Sequence, residues 1–190
     1  MIFRLFRRDP TAGTIDALYG AIVAQARREP FYLAYGVPDT AEGRFDMVVL
    51  HLALVCRRLG RESGTGETPA RGLSQQVFDM FCADMDHNLR EMGVGDLTVP
   101  KKMRRLGEAF FGRLEVYDRA LAASDGEELA AALARNVLGE GEPSASPRRL
   151  AAYVREAATR LDSTSLVALT AGQIDFPAPD AVAMAHEAGA

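Results

Sequence analysis

Apolar residues recur at helical spacing along almost the whole chain, and no run of four or more residues alternates as a half-buried strand would. Ile15, Leu18, Tyr19, Ile22 and Val23 fall at i, i+3, i+4, i+7 and i+8. A second stripe is Phe45, Val48, Val49, Leu52, Cys56 and Leu59. A third is Leu73, Val77, Phe78, Phe81, Cys82, Met85 and Leu89, and a fourth is Met103, Leu106, Phe110, Leu114, Tyr117 and Leu121. Leu129, Leu133 and Val137, then Leu150, Tyr153, Val154, Ala157 and Leu161, continue the pattern. The periodicity predicts an all-α, single-domain bundle of six to eight helices.

Punctuation supports that reading. Thr14 is placed to cap the first helix, and Asp39 with Glu42 and Ser124 with Glu127 have capping-box spacing. Ser146-Pro147 reads as a cap followed by a first-turn proline. Gly36, Gly93 and Gly139 are C-terminal stops. The polar stretch Arg61 to Gly72 reads as a mobile loop, and no repeat of fixed period occurs. Three segments are expected: a basic-apolar tip over 1–12, a helical domain over 13–175 and a flexible tail over 176–190.

At 190 residues the chain can bury about 70% of its unfolded surface, enough for a core without staples. With 48% hydrophobic and 25% charged residues it is neither disordered, collagen-like nor a disulfide scaffold. A net charge of -4 speaks against a generally basic nucleic-acid binder, and no DNA partner is expected. Cys56 and Cys82 lie on apolar helical faces outside any CxxC pattern and read as reduced, buried thiols, which favours a reducing compartment. The most apolar run, Met47 to Cys56, is too short to cross ~30 Å of hydrocarbon. The opening MIFRLFRRDP lacks the uninterrupted apolar stretch of a secretory signal, so a cytoplasmic location is expected. The plain reading of this tip is a frayed terminus or one that packs on the body, and the alternative is contact with an anionic membrane surface.

No catalytic motif is readable: there is no HExxH, no GxSxG and no phosphate-binding glycine loop after a strand. The chain is therefore expected not to be an enzyme and to carry no cofactor or metal. His51, one turn after Met47, reads as a hydrogen-bonded histidine at a helix edge; as a haem ligand it would lack an opposite-face partner on the same helix. Asp84, Asp86 and His87 read as a solvated face pairing with Arg90, and Asp46 as an acid with no visible base. Lys101, Lys102, Arg104 and Arg105 are the densest positive cluster; the plain reading is an exposed helix face, the functional one a seat for RNA phosphates or lipid headgroups. Phe110 and Phe111 point about 100° apart, so both enter the core only if their helix is covered on two sides. Core packing is the expectation; otherwise Phe111 joins an exposed apolar patch that marks a protein-binding surface.

The blocks YGVPDTAEGRFDMVVLHLALVCRRL and FDMFCADMDHNLREMGVGDLTVPKKMRRLGEAFFGRLEVYDRAL resemble the ubiquinol-cytochrome c chaperone family. The resemblance spans roughly Pro30 to Leu121, with helix, double-glycine turn and basic helix start together in DMDHNLREMGVGDLTVPKKM. It implies an assembly factor that binds newly made cytochrome b as its client and helps it enter the cytochrome bc complex. Ribosome contact near the tunnel exit and peripheral contact with the inner membrane are implied less directly. On this reading Arg90, Glu91, Met92, Gly93, Gly95, Asp96, Phe110 and Phe111 contact the client, Met80, Met85, Met92 and Met103 suit an adaptable groove, and Lys101, Lys102, Arg104 and Arg105 face lipid or ribosomal RNA. The competing readings are an RNA- or ribosome-binding module resting on the basic cluster, and a haem- or quinone-binding protein resting on His51.

Overall fold

A computed structural model describes residues 10–61, 68–123, 126–139 and 146–181. Among them are eight α-helices and no strand: α1 (Pro10–Ala26), α2 (Pro30–Leu33), α3 (Ala41–Arg61), α4 (Pro69–Glu91), α5 (Val99–Ala122), α6 (Glu127–Leu133), α7 (Ser146–Ser163) and α8 (Leu166–Thr170). A π-helical turn, Ala134–Leu138, extends α6. The bundle expected from the periodicity is the bundle observed. The expected cap Ser124, the tip over residues 1–9 and the tail over 182–190 lie outside the described residues.

Helix α3 is the axle. It packs against α1, α4, α5, α7 and the π turn. Every residue from Met47 to Leu59 is buried, not only the expected stripe. Leu50, Ala53, Leu54 and Val55, outside the stripe, are apolar and buried as well, which is what a helix covered on all sides requires. The short Pro30–Leu33 helix brings Phe31 and Tyr35 onto this axle, and Gly36 at φ +72° turns the chain away.

Several starts differ from the punctuation read in the sequence. Helix α1 begins at Pro10, and the Thr14 hydroxyl donates to the Thr170 carbonyl at 2.9 Å, so it ties α1 to α8 instead of capping. At α3 the Thr40 hydroxyl accepts from the Gly43 N–H at 3.1 Å, while Asp39 pairs with Arg44 at 2.7 Å. Helix α4 begins at Pro69, four residues before its apolar stripe, because the Thr68 side chain caps it at the Arg71 N–H. In front of α6, Gly126 at φ +75° takes the N-cap position.

Residues 173–181 also differ from the loose tail expected beyond Asp175. Pro177 and Pro179 are buried. The Gln25 amide donates to the Pro177 carbonyl at 2.8 Å, and the Tyr35 hydroxyl to the Pro179 carbonyl at 2.6 Å. Phe176 sits edge-on to His51, with ring centroids 5.2 Å apart. Proline has no N–H to satisfy, so this segment needs only its carbonyls met when it is buried.

Candidate functional site

The α4–α5 connection is held shape by shape. The Gly93 N–H bonds the Arg90 carbonyl at 2.9 Å and the Val94 N–H bonds the Leu89 carbonyl at 3.0 Å, the paired closure of a Schellman end. Gly93 sits at φ +78°, which the motif requires at that position. Gly95 has no such demand, but its carbonyl accepts from the Thr98 and Val99 N–H groups and starts α5. Arg90 bridges Asp86, at 2.6 Å, to Asp96 across the turn, and holds the Asp86 carboxyl below its usual range. Glu91 pairs with His87 at 3.2 Å. Arg90 and Asp96 therefore brace the turn.

What the turn presents is apolar. Met92 is 74% exposed. With Phe45, Met85, Leu89, Leu106 and the Lys102 stem it lines a cleft of about 330 Å³ between α3, α4 and α5. A neighbouring cleft of about 360 Å³ shares Ala41, Phe45, Met85, Asn88 and Met92 and reaches Tyr19 and Val23 on α1. Together they make one groove that opens to either side of the two methionines. Its far wall is pinned by the Tyr19 hydroxyl donating to Asp84 at 2.7 Å; burial and that carboxylate raise the tyrosine's pKa. Met80 and Met103 do not line it.

Phe110 and Phe111 part company. Phe110 is 2% exposed and stacks on Phe78 with centroids 4.7 Å apart; Phe111 lies on the same ring at 5.2 Å but is 54% exposed. Core packing of both was the expectation, and it fails for Phe111 because α5 is covered on the Phe110 side only. Phe111 lines a third cleft of about 350 Å³ with Cys56, Arg57, Leu114 and Asp118. Helical rise puts it about 18 Å along α5 from Val99. The residues grouped in the sequence as one client face thus fall at two heights of the bundle. Cys56, deep in the wall of that third cleft, is a free thiol whose pKa burial pushes up to about 11, so it is held as the unreactive thiol. Cys82 is also free, and burial raises its pKa.

His51 is fully buried at the centre of the molecule, not at a helix edge. Its Nδ1 lies 2.8 Å from the Met47 carbonyl and its Nε2 2.8 Å from the Tyr153 hydroxyl. A carbonyl only accepts, so Nδ1 carries the proton and Nε2 accepts from Tyr153. The same hydroxyl accepts from the Gln25 amide at 2.9 Å. Burial lowers the His51 pKa to about 4. With both nitrogens engaged, this histidine offers none to a haem iron. Asp46 does have a base: Arg113 meets it at 2.5 Å across α3 and α5, though burial still holds its carboxyl above the usual value. Among the described residues no group of three His, Cys, Asp or Glu side chains is placed to hold a metal, and no helix is long and apolar enough to cross a membrane.

Sequence reasoning missed two buried cations on α3. Arg57 spans from Asp118 on α5 (2.8 Å) to Asp162 on α7 (3.3 Å). Arg58 donates to the Leu161 and Thr164 carbonyls, both at 2.8 Å, and so closes the C-terminal end of α7. The available signal was their place in an otherwise apolar helix, where a guanidinium must find partners. The basic cluster is placed as expected: Lys101, Lys102, Arg104 and Arg105 are all exposed.

A family model described as ubiquinol-cytochrome C chaperone matches residues 33–176, which takes in the axle, the α4–α5 turn and the cleft between α3, α4 and α5. The crystal structure of the Cbp3 homolog from Brucella abortus superposes with a TM-score of 0.81 at 40% identity, over 95% of this chain and 98% of that one. Ubiquinol-cytochrome-c reductase complex assembly factor 1 of Xenopus laevis is 28% identical over 77% of this chain and 71% of its own length. The Mus musculus protein is 29% identical over 77% of this chain, which spans 48% of the mouse protein's length. Pattern, turn and architecture agree, and the chain belongs to the ubiquinol-cytochrome c chaperone family.

Proposed function

We propose that this protein is a non-enzymatic chaperone for assembly of the cytochrome bc complex, that newly made cytochrome b is its client, and that it works peripherally at the membrane receiving that client. The family supports the assembly role. The observation that carries the client reading is the methionine groove: Met85 and Met92 offer adaptable apolar surface beside Phe45 and Leu106, next to a turn braced by its own ion pairs. A membrane protein caught before insertion exposes apolar helices, and an open groove between helices takes an apolar helical face. Flexible methionines tolerate variation along that face. Phe111 supplies a second apolar contact higher on α5, whereas buried Phe110 supports it from beneath.

The test is photocrosslinking in respiring cells from a crosslinker placed at Met92, with one at Val167, itself 78% exposed, as the comparison. Cytochrome b should be captured from position 92 and not from 167. Met92→Asp should abolish capture and lower the assembled complex while leaving the helical signal unchanged, since this side chain is mostly in solvent. Equal capture from both positions, or none from 92 in cells making the complex, would remove the groove from the reading.

A further inference from the structure

Among the described residues the most exposed large apolar side chain is Leu97, at 97%, in the α4–α5 turn two residues before α5 begins. Met92, at 74%, lies at the same end of the bundle. An exposed leucine on a loop forgoes the gain of burial and contributes no packing to the fold. Immediately after it, α5 opens with Pro100, Lys101, Lys102, Arg104 and Arg105 and no acid in its first turn. At about 100° per residue the four cations cover an arc of roughly 160°, opposite the arc of Val99, Leu106 and Phe110 that faces the bundle. Of the nearby acids, Asp86 and Asp96 share the one Arg90, and Glu91 lies 3.2 Å from His87. Arg104 reaches only Glu108, at 3.9 Å. The result is four exposed cations gathered on one arc at the start of α5 beside two exposed apolar side chains, on a protein whose overall charge is -4.

We propose that this turn is a membrane-surface contact: Leu97 and Met92 enter the acyl boundary of an anionic bilayer while Lys101, Lys102, Arg104 and Arg105 take its phosphate headgroups. The pairing of an apolar tip with a cationic collar fits that interface in both its layers. RNA would account for the cations but gives no reason for Leu97. The proposal deepens the assembly reading, on which its biological occasion rests. It would set the methionine groove at headgroup level, where an apolar segment could pass between groove and bilayer with little exposure to water.

The chain contains no tryptophan, so one introduced residue reports its own surroundings. Leu97→Trp in the full chain should show a blue-shifted emission with vesicles of equimolar phosphatidylcholine and phosphatidylglycerol, and none with phosphatidylcholine alone. Leu33→Trp and Val167→Trp, at 76% and 78% exposed positions, should not shift. Adding Lys101→Gln and Lys102→Gln to Leu97→Trp should weaken vesicle affinity roughly 30-fold, at about fivefold per basic residue. Cosedimentation of the unsubstituted chain and of Leu97→Ser gives the same answer without a new aromatic: the variant should bind less. Overturning results are an unshifted emission from Leu97→Trp with bound vesicles, equal shifts at all three positions, or lysine-dependent retention of polyuridylate without vesicle binding. The test contains lipid and no client, so its failure leaves client capture at Met92 standing, and the reverse holds.

Discussion

The Tyr153 hydroxyl serves two partners at once, giving its proton to His51 and accepting from Gln25. Replacing it by phenylalanine keeps the ring packed on Phe31 at 4.8 Å but leaves a buried imidazole nitrogen and one amide hydrogen of Gln25 unmet. We expect Tyr153→Phe to lose about 1–3 kcal/mol in urea denaturation. The same cluster sets a pH dependence. His51 binds a proton at about pH 4 when folded and near 6.5 when unfolded. Between those values the unfolded chain holds more protons, so stability is complete above about 6.5 and falls as pH drops toward 4. Melting temperature against pH should show that slope, and His51→Gln should flatten it. The sequence pointed to a hydrogen-bonded His51 but placed it at an edge. Its partner is 102 positions away and Gln25 is on another helix, and periodicity along one helix carries no information about which distant hydroxyl arrives.

Among helical elements, three glycines separate by what surrounds them. A β-carbon at Gly43 would stand 2.0 Å from the Pro38 carbonyl oxygen. Gly43→Ala should therefore force the start of α3 off its seat at about 1–3 kcal/mol. Gly93→Ala meets no neighbour but keeps φ +78°, and should lose about 1 kcal/mol. Gly95→Ala meets neither obstacle and should stay within about 0.5 kcal/mol of the parent. Thermal denaturation of the three ranks them directly. Gly93 was legible as a helix stop because its offset from the last apolar residue is a local signal. Gly43 was not, because its constraint comes from a carbonyl folded back upon it. Thr40 in place of Asp39 as the cap shows the same limit: both are good caps, and the salt bridge to Arg44 decides which one is free.

At the scale of the molecule, one helix buried on every side demands that its few polar groups be answered by the shell. Arg57 and Arg58 do this by gripping α5 and α7. Arg58→Met keeps most of the buried stem and abandons the Leu161 and Thr164 carbonyls, and should lower stability by about 2 kcal/mol. Arg44→Met, an exposed pair at α3's other end, should change it by less than about 1 kcal/mol. Urea midpoints of the two variants make the comparison. The all-α architecture was fully legible, because it is written in local periodicity. The division of the expected client residues into a braced turn, a groove and a separate Phe111 patch was not, because it depends on how α4 and α5 run past α3. The groove methionines Met85 and Met92 were readable as adaptable surface, while Phe45 and Leu106, which complete it, looked like ordinary stripe residues.

The contacts of Gln25 and Tyr35 with Pro177 and Pro179 have a consequence for timing. Partners separated by 152 and 144 positions cannot meet until Pro177 and Pro179 have been made. While a ribosome still holds Pro177 and Pro179, the hydroxyl of Tyr35 and one amide hydrogen of Gln25 have no carbonyl to reach. The centre of the bundle is sealed by a segment made long after the helices it covers, so a protein proposed to shelter an unfinished membrane protein must have made that segment before it closes.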